Sequence, residues 1–144
     1  QGTTERGYAD AREYPGAKAM LVLGEEAHSV VPYKDNADQL ASADASDAVV
    51  GLLWWADKKP RARIARTLIG VSPRGDMYVF VSPAATQRYA MAVLRRFGIP
   101  ASGMLMMDGG GSSQLVTRSG QVVPVKRTKQ MLRKVPQVMV VRRG

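Results

Sequence analysis

Apolar and polar positions along the 144 residues fall into short runs, most of them with the alternation or length of strands. "AMLVL" (19–23) and "AVVGLLWW" (48–55) are compact apolar runs. "IARTLIGV" (64–71) alternates in part, and "DMYVFVS" (76–82) follows after "SPRGD", whose Pro and Gly predict a hairpin turn. "MLMM" (104–107), "SQLVT" (113–117), "QVVPV" (121–125) and "QVMVV" (137–141) complete the strands, with "TRSGQ" as a second turn. One helix is marked between them. Ser82 is the expected N-cap and Pro83 the first helical residue, with an apolar stripe at Ala85, Tyr89, Val93 and Phe97. Arg95 and Arg96 suit its last turn, and Gly98 and Pro100 stop it. The polar stretch 33–47 reads as a loop that could hold a short helix.

A hairpin, a helix and then further strands predict an α+β domain, with a mixed, largely antiparallel sheet and one main helix packed on it. The pattern does not fix the strand order. The length suits a single domain over residues 1–144, large enough to bury a core. No window approaches the roughly 18 apolar residues of a membrane span, and the N-terminus lacks a basic-then-apolar signal pattern, so any export signal is absent or already removed.

Composition narrows the chemistry. Without cysteine there is no disulfide, thiolate metal site or cysteine nucleophile, and a single histidine, His28, argues against a multi-histidine zinc site. His28 itself reads as a surface or loop residue, with a general acid or base as the alternative. Lys+Arg number 21 against 12 Asp+Glu, a net charge of +9. Five of the cations lie in "KKPRARIAR" (58–66) and five in "KRTKQMLRK" (126–134). Such a surface favours anionic partners, or is simply a solvated basic face.

The most specific stretch is "MLMMDGGGSSQLV" (104–116). A buried strand would deliver Asp108 to its end, where a loop leaves the side chain accessible. Gly109, Gly110 and Gly111 can take positive φ, and their amides with the Ser112 and Ser113 hydroxyls can form an anion nest. The competing reading is a glycine turn in which Asp108 caps its own backbone. It is neither a nucleotide P-loop nor a dinucleotide fingerprint, because no Gly-Lys-Ser/Thr follows and the next segment is strand-like. In "RTLIGV", Arg66 stands inside an apolar strand, where an unpaired guanidinium is costly. It either pairs with a carboxylate, Asp108 among the candidates, or faces a pocket and holds phosphate.

Taken together, the "R-T-x-x-G-[VI]" strand, the helix ending in Gly-Ile and the "DGGGSS" loop resemble the phosphodiester glycosidase family. That family includes the enzyme that uncovers mannose phosphates on lysosomal proteins by removing N-acetylglucosamine, and its bacterial members are often labelled exopolysaccharide-related. The motifs cover about 63–141, including "RKVPQVMVV" (133–141). The resemblance implies hydrolysis of a sugar-1-phosphodiester in glycan or cell-envelope material. It would make Asp108 catalytic, as acid, base or ligand to an ion, and would set Arg66 on the phosphate with Thr67 beside it. Gly109, Gly110, Gly111, Ser112 and Ser113 would shape the pocket floor, with Arg133 at the rim. The cofactor stays open, a divalent cation being one option. An extracytoplasmic location, secreted or periplasmic, is implied as well.

The first third departs from the family pattern. "ERGYAD" (5–10) stands where an "N-G-G-F-F" type segment is expected, with nothing before it to supply earlier strands. The pattern then fits a fragment whose missing N-terminal segment completes the sheet, a compact variant, or a sheet completed by a second chain. A second catalytic carboxylate is not identifiable: Glu5, Asp10, Asp57 and Asp76 are candidates that read as solvated surface. Of Trp54 and Trp55, strand alternation would send one toward a sugar ring and the other into the core. Two other functions compete: a non-catalytic basic module binding anionic glycan, and a nucleic-acid-binding protein. The second is disfavoured by the scarcity of aromatics among the cations.

Overall fold

The computed structural model describes residues 14, 16–24, 27–33, 45–120, 122–123 and 139–140. Its main body is a six-stranded sheet. The strands are β1 (Lys18–Gly24), β2 (His28–Pro32), β3 (Ala45–Leu53), β4 (Ile64–Val71), β5 (Met77–Ala85) and β6 (Met104–Met106), in the order β2-β1-β3-β6-β4-β5. Every hydrogen-bonded neighbour pair in it is antiparallel. A ten-residue helix, α1 (Gln87–Arg96), follows β5. A small ladder of β7 (Leu115–Val116) and β8 (Val122–Val123) follows β6. This is the α+β domain expected from the pattern.

The period-two alternation of β4 and β6 separates two cores. Leu68 and Met104 meet Ala90, Met91 and Leu94 of α1 and Ile99 just beyond it. Ile69, Val71 and Leu105 instead join Ala19 and Leu21 of β1 on the other side. The sheet curls over that second core, because the His28 N–H at the start of β2 donates to the Gly75 carbonyl in the β4–β5 turn at 3.2 Å. His28 therefore lies in a strand, half buried, and not in a loop.

The helix begins later than its sequence signals suggest. Ser82 and Pro83 continue β5, which runs to Ala85, and Thr86 is the N-cap, its hydroxyl accepting from the Tyr89 N–H at 3.2 Å. Pro83 is tolerated there because β5 is an edge strand. The buried face is Gln87, Ala90, Met91 and Leu94, so the stripe is displaced from the expected one. Tyr89 and Phe97 are exposed, and Ala85 is buried as a strand residue. At the other end Gly98 adopts φ 76°, donating to the Arg95 carbonyl, while the Ile99 N–H reaches Leu94. Those two bonds, with Ile99 against Leu94, form the paired 5→2 and 6→1 closure that needs a left-handed residue.

The segment 54–63 links the end of β3 to the start of β4. Because both strands are antiparallel to β6, which lies between them, they run in the same direction. The link must therefore cross from one end of the sheet to the other. It opens with a 3-10 turn, Trp54–Ala56, which packs on β6.

Candidate functional site

β6 is the short, central strand that the apolar run "MLMM" forms. Met106 is paired with Leu52 on one side and Leu68 on the other. The Met107 N–H still donates to the Thr67 carbonyl at 3.0 Å, so the chain stays against β4 for one residue more. Asp108 then leaves the sheet and is exposed. Its carboxylate has no hydrogen-bond or ion-pair partner among the described residues. It does not cap its own backbone.

The glycines bring the loop back along β4. A side chain on Gly109 would put its Cβ 3.1 Å from the Ala65 carbonyl oxygen, so any larger residue would push the two backbones apart by a few tenths of an ångström. Gly110 has φ 62° and opens a 3-10 turn, Gly110–Ser112. Of the three expected to use positive φ, Gly109 is extended at φ −106° and Gly110 alone is left-handed. The turn is closed by Ser112 and Ser113 N–H groups donating to Gly109 and Gly110 carbonyls at 3.3 and 3.2 Å. The Gln114 amide holds the Gly111 carbonyl at 3.2 Å. The amides of Gly109, Gly110 and Gly111 make no hydrogen bond among the described residues. An open carboxylate is thus followed by three open N–H groups.

Thr67 and Ser113 anchor this loop from below. The Thr67 hydroxyl donates to Ser113 Oγ at 3.0 Å, and Ser113 Oγ donates to the Asp108 carbonyl at 3.4 Å. Ser113 is fully buried, so its hydroxyl supports the loop instead of lining its surface, while Ser112 is half buried. Thr67→Val keeps the shape but removes the donor. The expected loss is about 1–2 kcal/mol, read from the urea midpoint, and a change within error would show that the hydroxyl pair does not hold the loop.

Arg66 points the other way, as the neighbour of Thr67 in a strand must. It is 3 % exposed, and all five N–H donors are engaged. Nε donates to the Ala85 carbonyl at 2.9 Å, Nη1 to Asp57 Oδ2 at 2.5 Å and to Gln87 Oε1 at 3.3 Å. Nη2 donates to the Lys59 and Ala62 carbonyls at 2.7 and 3.3 Å. Its carboxylate partner is Asp57, not Asp108. Asp57 is correspondingly a buried ion-pair member and not the solvated side chain its sequence context suggests. Burial of a guanidinium demands this many acceptors.

Sequence reasoning also misplaced the tryptophans. In a 3-10 turn, unlike a strand, neighbouring side chains do not alternate between faces, and Trp54 and Trp55 are both exposed, at 39 % and 54 %. Asp76 belongs to the β4–β5 turn, where it accepts from the Ser72 hydroxyl at 3.2 Å. Arg133 and the basic run 126–134 lie outside the described residues. Among the described residues no group of three or more carboxylate or imidazole side chains gathers as a metal site. No helix is long and apolar enough to cross a membrane among them either.

A family model described as "Phosphodiester glycosidase" matches residues 5–142, and the chain belongs to that family. The match reaches well ahead of the 63–141 stretch that carries the motifs. Searches of curated proteins and of solved structures gave no significant match.

Proposed function

We propose that the protein hydrolyses a sugar-1-phosphodiester of the N-acetylglucosamine-1-phosphate type in glycan or cell-envelope material. The observation that carries this is the contiguity of one unpartnered carboxylate, Asp108, with the unpaired amides of Gly109, Gly110 and Gly111. A phosphodiester offers both groups something to meet. The amides and the Ser112 hydroxyl would receive phosphate oxygens, and Asp108 would stand at the anomeric carbon.

In the reaction the bond between the anomeric carbon and the phosphate oxygen breaks, and water supplies the new anomeric hydroxyl. The products are a free sugar and a phosphomonoester. A phosphomonoester leaves with its charge already delocalised, so it needs less proton donation than an alcohol would. One carboxylate plus oriented donors can then supply much of the rate. Thr67 and Ser113 would act by holding the loop, and Arg66 by fixing the crossover through Asp57. Arg133 is retained as a candidate for the rim. This reading places the protein outside the cytoplasm, where such glycans are exposed.

The test is hydrolysis of a synthetic N-acetylglucosamine-1-phosphodiester, with and without added divalent ion, followed by release of N-acetylglucosamine. Turnover with release of the phosphomonoester is the expected result. A folded sample that binds the compound but releases no sugar in either condition would leave a non-catalytic module for anionic glycan.

A further inference from the structure

The crossover 54–63 carries a second surface that the catalytic reading does not use. Trp54 and Trp55 are both exposed at its start, and Lys59, Arg61 and Arg63 are exposed along the rest. Large aromatic side chains are normally recruited to a core or to an interface. Nor is this a loose loop. The single buried guanidinium of Arg66 bonds to Asp57, Lys59 and Ala62, fixing three points of the crossover. Gln87 adds two more, its side chain to the Trp54 carbonyl at 3.4 Å and its N–H accepted by the Pro60 carbonyl at 3.1 Å. Asp57 Oδ1 closes the bend by accepting from the Lys59 N–H at 2.8 Å. The tryptophans are therefore presented from a rigid base, which lowers the ordering cost of any ligand they meet.

We propose that the crossover is a binding surface for a glycan chain bearing repeated phosphates. A sugar ring stacks on Trp55 with Trp54 beside it, and Lys59, Arg61 and Arg63 meet the adjoining phosphates. This rests on the reading that the substrate is a sugar phosphodiester. It extends that reading from a single bond to the polymer around it. The order of residues favours this partner over single-stranded nucleic acid. Base stacking along a strand needs aromatics in succession, whereas residues 56–63, "ADKKPRAR", contain none. One platform followed by cations fits one ring followed by charge. The turn that carries the tryptophans also packs on β6, whose last residue, Met106, lies two positions before Asp108.

Trp54 and Trp55 are the only tryptophans in the chain, so its emission reports on this surface alone. The experiment titrates the whole protein with a synthetic oligomer of N-acetylglucosamine-1-phosphate. A neutral N-acetylglucosamine oligosaccharide and a single-stranded oligonucleotide of equal charge are run in parallel. The phosphate glycan is expected to change the emission saturably, to bind tighter than both others, and to weaken as salt rises. Trp55→Ala should weaken it about tenfold, the scale of one lost stacking partner, with Trp55→Phe restoring most of the loss. Arg61→Gln with Arg63→Gln should flatten the salt dependence. No emission change, unaltered affinity in Trp55→Ala, or equal or tighter oligonucleotide binding would each overturn the proposal. Titrations run on wild type and on Asp108→Asn alike, so hydrolysis does not obscure binding. Turnover without an emission change removes this surface alone; an emission change without turnover removes catalysis alone.

Discussion

Asp108→Asn is expected to lower turnover of the sugar phosphodiester by roughly a thousandfold, within the range for removing a positioned acid, base or nucleophile. The substitution keeps the size of the side chain and leaves the loop to its other supports. Those supports are the Thr67–Ser113 hydroxyl pair, the Ser113 bond to the Asp108 carbonyl and the Gln114–Gly111 bond, and none involves the carboxylate. Stability should accordingly stay within about 0.5 kcal/mol of wild type. The pairing of a large kinetic effect with no thermodynamic one is the signature of a group that waits for a ligand. If the carboxylate instead held an ion, the residual rate would respond to added divalent cation. A variant that kept more than a tenth of the activity would move the reacting group elsewhere.

Arg66→Met should do the reverse. It removes the cation from a buried pair and leaves the Asp57 carboxylate, 9 % exposed, without its counter-ion. Three carbonyl oxygens, those of Ala85, Lys59 and Ala62, lose a donor as well. Breaking a buried pair from one side costs about 3–5 kcal/mol, a large share of the roughly 5–15 kcal/mol that holds a domain together. Arg66→Lys should recover little, because three donors on one nitrogen cannot reach acceptors spread over a planar fork. Equilibrium urea unfolding of Arg66→Met, Asp57→Asn and the double variant checks this, with a double-variant cost well below the sum. A loss under about 1 kcal/mol together with abolished turnover would put Arg66 on the substrate and not under the crossover.

Much of this architecture was legible in the chain. The apolar runs at 19–23, 48–55, 64–71 and 104–107 became strands within three residues at either end, and "SPRGD" became the turn between β4 and β5. The run "HSVVP" escaped notice because β2 is a short edge strand in which polar and apolar residues mix. The helix start was misread because Ser82-Pro83 carries a genuine N-terminal signal. An edge strand and a later cap, Thr86, also satisfy it, and pairing with β4 decides between them. At the site, Asp108 and its glycines could be singled out locally, since the run needs close approach and a left-handed residue whatever surrounds it. The partner of Arg66 could not. Asp57 lies nine positions earlier, on a segment whose path depends on β6 standing between β3 and β4. Alternation alone, however, already forbade Arg66 and Thr67 from sharing one face.

That placement of β6 has a bearing on how the protein is made. Until Met104–Met106 is available, β3 and β4 have no common neighbour, and the sheet exists only as the halves β2-β1-β3 and β4-β5. Each half exposes an unpaired inner edge, the kind of surface that recruits other chains. The joining contacts are distant in sequence, Leu52 with Met106 and Leu68 with Met106, so closure is the slow, late event of folding. A growing polypeptide therefore acquires its central strand and Asp108 in the same step. The glycine loop that follows Asp108 takes its place along β4 only when those inner edges are paired.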